Sequence, residues 1–120
     1  MIVVDTSTNL NMYLASTSTS VVATAYFVDT NNVPAQQITP AGGTASTPVV
    51  IVTHNGTYQR LVQHIEIYNG DASTQTVTVL MGTQILLTTS LSSGATLQYT
   101  TNGGWVVPTT TSSYFPSGGW

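Results

Sequence analysis

The sequence predicts an all-β protein: an antiparallel β-sandwich, jelly-roll-like or Ig-like, with an extended C-terminal tail. Three observations carry this expectation. Val, Ile, Thr and Tyr are abundant, and β-branched and aromatic side chains suit the pleated, half-covered surface of a sheet. No window of helical length sustains an apolar period of about 3.6 residues. Short alternating segments recur instead, separated by Gly, Asn, Ser and Pro at intervals of roughly ten residues, as in sandwich domains.

In order along the chain, residues 1–8 read as an N-terminal arm, 9–107 as the sandwich and 108–120 as the tail. Leu10, Met12 and Leu14 alternate with Asn11 and Tyr13, the period of a half-buried strand. Residues 21–28, VVATAYFV, form a more continuous apolar run, expected of a strand covered on both faces. Asn31, Asn32 and Pro34 break that run, and residues 39–48 form a Pro- and Gly-rich loop. A strand at 49–53 ends at His54-Asn55-Gly56, where Asn-Gly suits a type I′ turn. The next segment places Leu61, Ile65 and Ile67 on one side and His64, Glu66 and Tyr68 on the other. Asn69-Gly70-Asp71 is expected to turn it into a paired strand whose inward face is Val77, Val79 and Met81. Gly82-Thr83, Ser92-Ser93-Gly94 and Asn102-Gly103-Gly104 are three further turn signals. They separate strands carrying Ile85 to Leu87, then Leu97 and Tyr99, then Trp105 to Val107.

Composition narrows the function classes. The chain has 120 residues, enough for one domain with its own core. Hydrophobic residues make up 41% and charged residues only 4%, against about 25% charged in an average globular chain. The charged set is Asp5, Asp29, Arg60, Glu66 and Asp71, a formal net charge of -3. Weak self-repulsion favours association, so the composition suits a protein that works inside an assembly. A nucleic-acid partner is not expected, because phosphate neutralisation needs several cations and the chain has one. A membrane span is not expected either, since no apolar run nears the length of about 20 residues that crossing requires. The N-terminus MIVVDTSTN has no basic region and no long apolar core, so no signal peptide is expected and the plain reading is cytoplasmic synthesis. Without Cys there is no disulfide and no thiolate metal site.

Candidates for chemistry are sparse. His54 and His64 are the only histidines, and a metal site would have to recruit Glu66 or Asp71 without any HxH or HExxH spacing. Ser is frequent, but no GxSxG elbow occurs and the Ser-rich stretches read as turns. Four scattered acids make a poor source for a glycosidase pair. Asn55-Gly56-Thr57 matches a glycosylation sequon and reads first as a turn, and Gly42-Gly43 and Gly103-Gly104 lack the Lys and helix of a phosphate loop. No enzymatic activity, no cofactor and no metal are therefore expected. Arg60, the sole Arg in a chain without Lys, can tie Glu66, Asp71 or nearby carbonyls, or reach across a subunit interface. Tyr13, Tyr58 and Trp120 are aromatic groups that could stack on sugar rings, which supports a carbohydrate-binding module as the rival reading.

The second half carries a resemblance. Arg60 is followed by Leu61, Ile65, Ile67 and Asn69, then by Val77-Thr78-Val79, SSGATLQY at residues 92–99 and GGWV at 103–106. With the weaker agreement of residues 10–14 and 21–29, this pattern resembles small strand-rich structural proteins of tailed bacteriophages. The resemblance covers residues 9 to 107 and consists of strands and turns, not of a catalytic motif. It implies a virion component without enzymatic activity: a capsid decoration (cement) protein, or a neck, tail or fibre accessory protein. Its implied partners are the major capsid protein, other virion proteins and sister copies, with a trimer as the implied homo-oligomer and the virion as its location. Interfaces of this kind rest on apolar area and aromatic anchors. The expected interface residues are Tyr114, Phe115 and Trp120 in the tail, then Ile2 and Val3 in the arm, and Arg60.

Overall fold

The computed structural model describes residues 1–40 and 42–108. Among them there is no helix, and ten strands form two antiparallel sheets. The strands are β1 (Ile2–Val4), β2 (Leu10–Leu14), β3 (Val21–Asp29), β4 (Pro34–Thr39) and β5 (Val49–Val52). The others are β6 (Arg60–Asn69), β7 (Gln75–Met81), β8 (Gln84–Leu91), β9 (Thr96–Thr100) and β10 (Gly104–Val106). The six-stranded sheet runs β10-β9-β6-β3-β4, with β1 also paired to β6, and the four-stranded sheet runs β5-β2-β7-β8. Buried side chains from both sheets form one hydrophobic cluster, including Leu10, Met12, Leu14, Phe27, Ile65, Ile67, Val77, Val79 and Leu97.

The alternation read in residues 10–14 is realised, with Leu10, Met12 and Leu14 inward. β3 also alternates: Val21, Ala23, Ala25 and Phe27 are buried while Tyr26 is exposed, so only one face of this strand is covered. Three expected turns stand where the sequence puts them. Gly82 joins β7 to β8 at φ 60°, and Gly104 opens β10 at φ 66°, a backbone region that other residues enter at a steric cost. Between β3 and β4 the left-handed position is taken by Asn32 at φ 67°, one of the few side chains tolerated there.

Three expectations are corrected. The segment of residues 60–80 is not a hairpin: β6 pairs with β3 and β9, while β7 pairs with β2 and β8 in the other sheet. The link through Asn69 crosses between the sheets, and Ile65 and Ile67 meet Val77 and Val79 across the core instead of alongside them. Asn69 is fully buried there and donates to the carbonyls of Leu91 (2.8 Å) and Ser73 (3.0 Å), satisfying backbone groups that a crossing link leaves without ladder partners. Second, Val62 and not Leu61 is the inward residue. His64 lies opposite Tyr26 and Val62 opposite Phe27, so Gln63 is an extra residue and the side-chain parity of β6 reverses at this bulge. Third, Asn55-Gly56 does not form a type I′ turn, since Gly56 has no positive φ and β5 and β6 belong to different sheets. The Asn55 side chain shapes this loop, its Oδ1 accepting from the backbone of Thr57 at 2.8 Å.

Within residues 1–8, read as an arm, Ile2–Val4 form strand β1. β1 lies beside Arg60, Leu61 and Val62, while β9 lies beside residues 64–68, so the two occupy successive stretches along β6. Val4 is fully buried, and the Ile2 backbone donates to the Tyr99 hydroxyl at 2.8 Å.

Candidate interaction surface

Arg60 sits where β1, β3 and β6 meet, paired in register with Asp29 and with Val4. Its Nε lies 3.1 Å from Asp29 Oδ1, its guanidinium donates to the Thr53 carbonyl at 2.9 Å, and its plane lies 4.7 Å from the Phe27 ring centre. Both side chains are mostly covered, which makes this an internal clamp holding the 53–59 loop to the end of the sheet. The counter-ion is Asp29, at the far end of a neighbouring strand, and not Glu66 or Asp71, because antiparallel pairing places the last residue of β3 beside the first of β6. An interface role for Arg60 is not favoured by this arrangement.

The two histidines are separately engaged. The His54 backbone and its Nδ1 both approach Asn9 Oδ1, at 2.8 and 2.7 Å. His64 and Glu66 share the outer face of β6, as their spacing requires, with Nε2 and Oε2 2.8 Å apart. Asp71 belongs to the crossing link, where the Gln75 amide, then the Ser18 hydroxyl and the Ala72 N–H, hold its carboxyl below the ordinary value. Among the described residues no three His, Cys, Asp or Glu side chains gather as metal ligands would.

What the fold does assemble is an outer face on the six-stranded sheet. Pairing puts Val3 beside Leu61, Leu61 beside Val28 and Val28 beside Pro34. This apolar row crosses four strands and spans about 15 Å at the usual strand spacing. Further along the same face, His64 and Gln36 flank Tyr26, Glu66 and Ile38 flank Thr24, and Tyr68 lies next to Val22. Ile38 is 60% exposed, Tyr68 47% and Tyr26 41%. One ionisable pair, His64 with Glu66, stands on a face otherwise made of apolar, Thr and Gln side chains.

No family model, no curated protein and no solved structure matches the chain.

Of the residues expected at an interface, Val3 lies in the exposed row, whereas Ile2 is half-buried opposite Val62 and packs against the core. Tyr114, Phe115 and Trp120 lie outside the described residues. Of the aromatics considered for stacking, Tyr58 is exposed, Tyr13 is half-buried, and Trp120 is again outside the described residues. Tyr26 and Tyr68 were not among the expected stacking groups, although Tyr68 was expected on the side of its strand with His64 and Glu66. Their signal was present in the parity of residues 21–29 and 60–69, once the first is read as alternating and not as an apolar run. A groove of about 590 Å³ is lined by the turn between β8 and β9, by Thr96 and Gln98 of β9, and by Val107 and Pro108 after β10.

Proposed function

We propose that the two sheets pack as a β-sandwich and that the chain is a non-enzymatic structural protein of a virion. In this reading it decorates and cements the capsid, with its six-stranded sheet laid on the major capsid protein. The observation that carries it is the row Val3-Leu61-Val28-Pro34, an apolar strip on a nearly uncharged face. Such a strip is stabilised by being covered, and the scarcity of charge means few ions lose their hydration when it is. The resemblance to small phage structural proteins supplies the kind of partner.

The test is binding to purified capsids. Wild-type chain is expected to bind empty particles and to raise their resistance to heat or osmotic shock. Val3→Glu and Leu61→Glu, both at outward positions, are expected to weaken binding while the chain stays folded. Particles equally robust with and without the chain would remove the cementing role.

Exposed Tyr26 and Tyr68 favour a second reading, a neck, tail or fibre accessory protein that stacks sugars on this same face. A glycan array separates the two. Hits lost in Tyr26→Ala and Tyr68→Ala would favour the sugar, and a blank array with tight capsid binding would dismiss it.

A further inference from the structure

Sheet edges expose unpaired N–H and C=O groups, and soluble proteins shield them with short strands, proline, charge or cover. Here β10 and β1 have three residues each and β5 four. β4 opens on Pro34 and is tied to β5 through side chains, Thr39 Oγ1 donating to the Val50 carbonyl at 2.8 Å and Gln37 Oε1 accepting from the Thr53 N–H at 2.9 Å. β8 is different. It runs for eight residues, QILLTTSL, at the edge of the four-stranded sheet, without a charge or a proline. Ile85 is 56% exposed and Leu86 39%. A bulge opposite Val79 and Leu80 takes Leu86 out of register, and residues 87–91 then pair regularly with β7.

We propose that residues 87–91 form an antiparallel ladder with the same residues of a second copy, about a twofold axis through Thr89. The sequence fits that operation. Leu87 meets Leu91, Thr88 meets Ser90 and Thr89 meets itself, so inward residues face inward residues and outward face outward. No like charges meet in the ladder, and a charged partner strand would find no ion to pair with. By the same twofold, Leu86 and Ile85 of each copy lie just beyond one end of the ladder. An edge left without cover among the described residues is thus filled by one contact. The product is a dimer with a continuous eight-stranded sheet. It is distinct from the trimer of the phage resemblance and leaves the outer face of the six-stranded sheet free.

Sedimentation equilibrium and native mass spectrometry of the full chain test this. The expected result is a concentration-dependent mass of two chains. Thr88→Lys/Ser90→Lys sets cations opposite one another at outward positions and should weaken the dimer about tenfold or more, with an unchanged circular dichroism spectrum. Mixing that variant with Thr88→Glu/Ser90→Glu should restore a mixed dimer. A single-chain mass at every concentration, a three-chain mass, or self-association untouched by the paired Lys substitutions would each overturn the proposal. A dimer that fails to bind capsids would leave the pairing standing and remove only the capsid reading.

Discussion

On the flank where β4 meets β5, the two sheets are laced together by side chains, while on the opposite flank β8 stands with apolar groups in solvent. The laced flank uses Gln37, Thr39 and Thr53, and Arg60 extends it by binding the Thr53 carbonyl from the end of β6. The Thr39 bond to the Val50 carbonyl is partly buried, while the contacts at Thr53 stay exposed at the rim of the flank. On the β8 flank the described residues carry such a tie at the end of the strand, where the Asn69 amide from β6 donates to the Leu91 carbonyl at 2.8 Å. In a chain this poor in charge, neutral polar side chains close the domain, and the stretch of β8 before Leu91, which has no inter-sheet tie among the described residues, is the part left able to add a strand.

The contrast can be broken most forcefully at Arg60. Arg60→Leu leaves the nearly buried Asp29 carboxylate without its cation and should destabilise the fold by about 3 kcal/mol in urea titrations. A loss below about 1 kcal/mol would show that Asp29 is rehydrated and the clamp is weak. Next in size, Gln37→Ala with Thr39→Val removes the lacing itself. About 2 kcal/mol is expected, from hydrogen bonds worth roughly 1 kcal/mol each, together with faster amide exchange in β4 and β5 but not in β7. Acid separates the flanks differently. The folded Asp71 carboxyl titrates below its ordinary value of 3.8, so its contribution is present above that pH and fades as pH falls through the folded pKa. The link of residues 69–75 should therefore loosen as pH falls through that range, followed by amide exchange, while the hydrogen bonds of Gln37, Thr39 and Thr53, which do not titrate, persist. The smallest effect belongs to the β8 flank: Ile85→Thr should change unfolding stability by no more than about 0.5 kcal/mol, as at other exposed positions.

Much of the fold was legible because alternation and turn chemistry are local. Leu10, Met12 and Leu14 declare an inward face by parity, and Gly82 and the Gly103-Gly104 pair mark hairpins that exist. The errors came from pairing, which is not local. Asn69-Gly70-Asp71 looks like a hairpin turn, yet the chain crosses to the other sheet there, and what holds the crossing is a buried Asn bonded to Leu91, 22 residues away. One extra residue, Gln63, was enough to exchange Leu61 for Val62 in the core. The candidate surface suffered in the same way. Val3, Leu61, Val28 and Pro34 are scattered in sequence, and only the register of three strand pairs brings them into a row. Arg60 was singled out from its rarity alone, but its partner Asp29 could be named only once β3 was known to run antiparallel to β6.

The hydrogen bond from the Ile2 backbone to the Tyr99 hydroxyl joins positions 97 apart. Loop closure over such a span slows folding, and contacts of this kind place a chain among the slow two-state folders. On the ribosome, where synthesis runs at about 5–20 residues per second, residues 2–4 emerge before β6 and β9 and must wait for both before they can dock. During that interval the start of β6 and the ring of Tyr99 have no cover from this strand. A strand made well before its partners is thus among the last to find its place.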